Sequence, residues 1–174
     1  INAYSAFLHG TGGALWAARA VLLAALVLHV VAAVQLAARR LEARPVAYAG
    51  GREPQVSTWA SRSIRWGGAL ILVFLIYHIL HFTVGTAHTD FVEGDPYHNV
   101  TNGFGNPLVV GGYLIAMALV GLHLYHGVWS SGRSLGVSPP SPHPLRRTIA
   151  LVLALLIWLG FTVIPVAVYA GVIP

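Results

Sequence analysis

The sequence contains four apolar runs, each long enough to cross the hydrocarbon core of a membrane. They cover roughly residues 13–38, 66–88, 107–130 and 148–172 of the 174-residue chain. At about 1.5 Å per residue, a helix of some 20 apolar residues spans a core about 30 Å thick. Charged residues make up only 9% of the chain, against about 25% in soluble proteins. We therefore predict a single integral-membrane domain, an all-α bundle of transmembrane helices.

Arginine is unevenly distributed among the loops between these runs. All ten basic residues are arginines, and nine of them fall within residues 39–65 and 133–147. The loop at 86–106 has no arginine and carries three acidic residues. Because cytoplasmic loops hold the excess of positive charge, we predict that the two arginine loops face the cytoplasm and that the acidic loop faces outward. Topology thus accounts for the basic character, and no nucleic-acid partner is indicated.

Several shorter features complete the predicted organisation. The chain starts at Ile1 without a methionine, so we expect its natural start to lie upstream. Residues 1–12 are short and amphipathic, which favours an interfacial segment. The loop at 86–106 is rich in turn residues and is predicted to be an ordered surface connection without a helix. Pro165 is predicted to kink the last helix.

Histidine in three of the apolar runs is the strongest indication of function. An imidazole in hydrocarbon is costly unless something binds it. A b-type haem needs one imidazole on each side of its iron, so we interpret the deep histidines as haem ligands. The ligands that we predict are His29, His78 and His123. The neighbouring His81 and His126 are predicted to hydrogen-bond between helices instead.

Depth along the helices indicates how these ligands pair. His29 lies ten residues before Arg39, and His123 lies ten residues before Arg133. Both helices run inward, so each imidazole lies about 15 Å from the same cytoplasmic charge layer, and the two can clamp one haem. His78 lies about 20 Å from that layer, which indicates a second, outer haem. Small residues beside the ligands, such as Gly127 after His123, leave room for a flat macrocycle.

Haem propionates need hydrogen-bond donors near a membrane face. Ser61, Arg62 and Arg65 stand near the predicted cytoplasmic membrane face and are candidate propionate contacts. Positive-inside topology alone is the alternative explanation for these arginines.

Other metal chemistry and transport are less well supported by the residues. The absence of cysteine excludes iron–sulfur ligation and c-type haem attachment within this chain. A di-metal carboxylate site needs glutamates on the same helices, and the four apolar runs contain no acid. Zinc lacks a nearby nucleophile or acid–base partner. A haem-free transporter or scaffold stays open as an alternative, although mid-membrane acids are missing.

Five segments together resemble a known family. They are NAYSAFLHG, LHVVAAVQLAARRLEARPVAY, TWASRSIRWGG, FLIYHILHFTVG and LHLYHGVWSSGRSLG. The chain is similar to the cytochrome b membrane anchor of succinate:quinone oxidoreductase, also called succinate dehydrogenase or fumarate reductase, of the five-helix dihaem type. The most specific element is the His–three residues–Gly–Val–Trp–Ser pattern that begins at His123.

The resemblance implies a ligand set. In that family the second and fourth helices bind the inner haem, which implies His29 and His123 here. The first and third helices bind the outer haem. His78 matches the third-helix position and His81 does not, and the first-helix ligand is expected upstream of Ile1 on a fifth helix.

The resemblance also implies partners and a location. The anchor would dock a flavoprotein with FAD and an iron–sulfur protein on the cytoplasmic side of a bacterial inner membrane, among lipid, and a higher oligomer of the complex is allowed. Succinate and fumarate chemistry would belong to the partner subunits. Electrons would pass through two haems to menaquinone or ubiquinone. Candidate quinone contacts are Ser61 and Arg65 inside, or Trp16, Arg19 and His88 outside. The anchor of a hydrogenase or formate dehydrogenase is the alternative.

Overall fold

The computed structural model describes residues 1–43, 59–136 and 144–173. Within these ranges the chain is helical and contains no strand. It divides into two compact units, Ile1–Gln55 and Val56–Pro174, which are described separately below.

The first unit contains two helices. Helix α1 covers Asn2–Gly10 and α2 covers Gly13–Glu42. The turn between them contains Gly12 at a φ of +55°, and the Thr11 hydroxyl donates a hydrogen bond to the Leu8 carbonyl at 2.6 Å. Alanine and leucine dominate α2 and favour a helix.

The second unit contains four further helices and one π-helical turn. These are α3 (Trp59–Ile79), the π-turn (Leu80–Val84), α4 (Pro96–Gly103), α5 (Pro107–Ser134) and α6 (Pro144–Tyr169). Helix α5 is central, because it packs against both α3 and α6.

Among the described residues, four helices are long and apolar enough to cross a membrane. They are Gly13–Arg39, Ser63–Val84, Pro107–Gly132 and Pro144–Tyr169. The predicted all-α membrane bundle is confirmed. Two bounds of these spans lie four residues from the predicted ones: the second span ends at Val84, not at 88, and the fourth begins at Pro144, not at 148. Gly85 takes a left-handed φ of +84° and stops the helix at Val84, and Pro144 favours the first position of a helix.

Glycines bring α5 close to its two neighbours. A Cβ placed on Gly68 of α3 would lie 3.6 Å from Cε1 of His123 in α5. A Cβ on Gly121 of α5 would lie 3.5 Å from the Trp158 Cβ in α6. Small residues allow this close approach between membrane helices, where dispersion replaces the hydrophobic effect.

The loop at 86–106 contains a short helix, so the prediction of a helix-free connection was wrong. The Asp95 carboxylate accepts a hydrogen bond from the His98 backbone N–H at 3.0 Å, and Pro96 takes the first helical position. These are the residue types that begin a helix as well as a turn. The buried Asn99 amide then accepts from the Val92 N–H and donates to the Val92 carbonyl, both at 2.8 Å.

The apolar core of the second unit lies at the end of the bundle that α4 covers. Its buried members are Phe104, Val110, Tyr113 and Val168. At this end α3 and α6 finish and α5 begins, which makes it the outward end under the predicted topology. Helix α6 continues through Pro165, which is fully buried, to Tyr169. The predicted kink stays a prediction.

Candidate functional site

Two histidines and a tyrosine meet at the α4 end of the bundle. Nδ1 of His78 lies 3.2 Å from the Tyr113 hydroxyl oxygen, and Nδ1 of His81 lies 3.1 Å from the same oxygen. A phenol has one proton, so it can donate to one imidazole and accept from the other. The direction of each hydrogen bond depends on which nitrogen of the imidazole carries its proton.

His81 is enclosed by other rings. It lies in the π-turn after α3 and only 3% of its surface is exposed. Tyr77 stacks on it at a centroid distance of 5.2 Å and His88 at 4.8 Å, with interplanar angles of 15° and 27°. A Cβ on Gly103 would lie 3.1 Å from its Cε1. His81 is thus part of a packed stack, and a flat ligand has little space beside it.

His78 has a more open environment than His81. It is partly buried. Phe74 stacks on it at 5.9 Å with an interplanar angle of 28°, and Phe82 meets it edge-on at 5.8 Å. Of the two histidines that share Tyr113, His78 is therefore the one with room for a further partner.

His88 belongs to the loop at 86–106. Only 8% of its surface is exposed, and neither ring nitrogen has a hydrogen-bond partner among the described residues. Its ring stacks on His81 instead. Sequence analysis gave His88 as a candidate quinone contact at the outer membrane face; its ring lies in the aromatic cluster, and the quinone contact stays a prediction.

At the opposite end of the bundle, His123 lies against a glycine of the neighbouring helix. A Cβ on Gly68 would lie at van der Waals distance from Cε1 of His123, and one turn later Gly127 has open space where a Cβ would be. The space at Gly127 is open, whereas Gly68 of α3 packs close to the ring, and the binding of a haem at His123 stays a prediction.

A second cluster, formed by His126, Trp129 and Arg147, lies further along the same helix. The His126 and Trp129 rings meet edge-on at 6.1 Å, and the Arg147 guanidinium carbon lies 5.0 Å from the Trp129 ring centroid. The buried Nε of Arg147 has no hydrogen-bond partner among the described residues. This cation–π contact joins α6 to α5 near the predicted cytoplasmic face.

The first unit holds three more of the predicted residues. His29 lies near the middle of α2. The Arg19 guanidinium carbon lies 5.0 Å from the Trp16 ring centroid, so Arg19 has an aromatic contact on its own helix, as an interfacial arginine often has. Because His29 and His123 belong to different units, their pairing stays a prediction.

The predicted propionate contacts begin α3. The side chains of Ser61 and Arg62 lie outside the described part of the structure, and Arg65 is exposed. Their contact with a propionate stays a prediction.

A family model described as succinate dehydrogenase/fumarate reductase transmembrane subunit matches residues 42–163, more than two thirds of the chain. The chain belongs to this family. It is a membrane subunit of that complex, and its four spanning helices make it a multi-pass membrane protein. Searches of curated proteins and of solved structures return no match.

In this transmembrane subunit, the hydrogen bond at His78 Nδ1 fits what a haem ligand would need. In metal sites a ligating imidazole uses one nitrogen for the metal and donates a hydrogen bond from the other. Tyr113 meets Nδ1, which leaves Nε2 for iron. No three His, Cys, Asp or Glu side chains in the described ranges are grouped as an ordinary metal ion needs. A haem iron does not need such a group, because it takes only one imidazole from each side.

Sequence reasoning missed Tyr113 and Arg147. The depth count used for the histidines could have found Tyr113, since it lies six residues after Pro107 and His78 lies six residues before Val84, at the same end of the bundle. Arg147 was interpreted only through its charge. Nothing in the sequence indicates that it packs on Trp129.

Proposed function

We propose that this subunit is the cytochrome b anchor of its complex, and that it carries electrons between the iron–sulfur subunit and a membrane quinone through two bis-histidine b haems. The observation that carries the proposal is the contact between His78 Nδ1 and the Tyr113 hydroxyl at 3.2 Å. It gives a membrane-buried imidazole the hydrogen-bond partner that a metal ligand needs and leaves Nε2 for iron.

The inner haem is assigned to His29 and His123. The open space at Gly127, one turn after His123, supports this assignment, because a macrocycle needs room on the ligand's side of the helix. Ser61, Arg62 and Arg65 are assigned to the propionates. Arg147, whose Nε is buried without a partner among the described residues, is a further donor at this end.

A haem held by two histidines supplies one-electron transfer and has no open coordination position. The contribution of this chain is to hold the ligand rings, exclude water and set their hydrogen bonds. We assign FAD, the iron–sulfur clusters and the succinate or fumarate chemistry to partner subunits on the cytoplasmic side of a bacterial inner membrane. Menaquinone or ubiquinone would bind near a membrane face, at Ser61 and Arg65 or at Trp16, Arg19 and His88.

The test is the haem content of the purified complex, measured by its visible absorption spectrum and as haem per FAD. We expect two b haems in the unmodified complex. His78→Phe should remove one of them, because phenylalanine fills the site but cannot bind iron. The matched variant His81→Phe keeps a ring between Tyr77 and His88 and should retain both haems. Loss of a haem in His81→Phe alone would reverse the choice of ligand, and a complex without b haem would refute the proposal.

A further inference from the structure

We propose that Tyr113 is the positioning residue of the outer haem ligand. Its oxygen accepts a hydrogen bond from His78 Nδ1–H, and its own proton is donated to His81 Nδ1. The inference rests on the proposed function, in that His78 binds iron through Nε2.

The direction of the hydrogen bonds follows from a proton count. A neutral imidazole carries one N–H, so a histidine that gives Nε2 to iron must carry its proton on Nδ1. The Tyr113 oxygen, 3.2 Å away, then has to accept. The phenol proton is left for His81, whose Nδ1 lies 3.1 Å from the same oxygen. In this arrangement the hydrogen bonds run from His78 through Tyr113 to His81, and every polar atom of the three that meets another has a donor or an acceptor.

The Tyr113 ring is held independently of the histidines. It is 5% exposed and belongs to the buried core. Phe74 and Phe104 both meet it edge-on at 4.9 Å, with interplanar angles of 84° and 86°. A ring packed in this way cannot swing its hydroxyl elsewhere, so the oxygen is a fixed reference point for the orientation of His78.

His81, which accepts the Tyr113 proton in this proposal, is also held in place. Stacked between Tyr77 and His88, it presents Nδ1 as an acceptor and draws the phenol proton away from His78. A hydroxyl that donates to one partner is a better acceptor for another, since hydrogen bonds in a chain polarise one another. This gives a buried, non-ligating histidine a role at the haem.

The consequence is a lower reduction potential for the outer haem. A hydrogen bond from Nδ1–H to an acceptor raises the basicity of a ligating imidazole. A more basic ligand stabilises ferric relative to ferrous iron, and second-shell hydrogen bonds are among the means by which a protein sets haem potential.

The experiment compares Tyr113→Phe with Tyr77→Phe in the purified complex by spectroelectrochemical redox titration. Tyr113→Phe keeps the packed ring and removes the acceptor. We expect both haems to remain, the midpoint potential of the outer haem to rise and that of the inner haem to stay unchanged. Tyr77→Phe removes a hydroxyl from the same ring cluster without any described hydrogen bond to His78, and it should leave both potentials unchanged.

His81→Phe is the second variant. It keeps the Tyr113 acceptor but removes the group that polarises it, so the potential should rise by less than in Tyr113→Phe. Should Tyr113→Phe lose the outer haem, the result in His81→Phe decides: a rise supports the inference and no change overturns it. Two haems with unchanged potentials in Tyr113→Phe would overturn the inference and leave the proposed function standing. A native complex without b haem would overturn both.

Discussion

Replacing His123 with alanine is expected to remove one of the two b haems from the complex. The substitution deletes an axial ligand assigned to the inner haem, and Gly127, one turn further along α5, has no side chain that could replace it. The haem content per FAD should fall by about half, because the other haem keeps its own ligands. Pyridine haemochrome analysis against flavin content measures this, and redox titration should show that only one b-haem potential remains.

His126→Ala is the matched control, since it removes the other imidazole of the same helix, one turn away. In the structure His126 meets Trp129 edge-on, and we assign it a packing role. Both haems should therefore remain in this variant. If His126→Ala loses a haem while His123→Ala keeps two, the ligand on α5 is His126 and the depth argument fails.

Gly85→Ala is expected to destabilise the outer end of the bundle by about 2–5 kcal/mol. Gly85 has a φ of +84°, where an added Cβ costs about 1–2 kcal/mol. A Cβ would also overlap the Phe91 ring, and overpacking of this kind costs about 1–3 kcal/mol. Thermal unfolding of the detergent-purified complex, followed by size-exclusion chromatography, should show a clear loss of stability.

Gly94→Ala separates the two contributions to this cost. Gly94 has nearly the same backbone conformation, with a φ of +82°, but nothing lies within 4 Å of its Cβ position. Only the backbone cost applies there, so its destabilisation should be about 1–2 kcal/mol. Equal destabilisation by the two variants would show that Phe91 moves aside freely and that the steric argument is wrong.

Hydropathy was sufficient to predict the four spanning helices, because a membrane requires length and apolar character of each helix independently. Hydropathy could not predict which face of each helix packs against other helices and which face meets lipid. Exposed large apolar residues such as Leu155 and Phe161 occur along α6, since a lipid-facing side chain is as apolar as a core one. The contacts that α5 makes with its neighbours depend instead on small residues, Gly68 and Gly121 among them.

The candidate site could be predicted in part, for a similar reason. Counting residues along each helix gives depth, and depth singled out His78 and His123. It does not give the neighbours around the helix axis, so the enclosure of His81 and the contact with Tyr113 required the structure. The short helix α4 was missed because Asp95 and Pro96 begin turns and helices alike.

The close approach of Gly68 to His123 limits the size of the side chain that residue 68 can carry, although no ligand is assigned to residue 68 itself. At 3.6 Å from the imidazole, a methyl group would just touch the ring, so alanine can replace this glycine at small cost. A branched or longer side chain would act as a wedge, forcing α3 and α5 apart and tilting the imidazole with them. Occupancy of the inner haem site that we propose on α5 would therefore depend on the size of the residue at position 68 of α3.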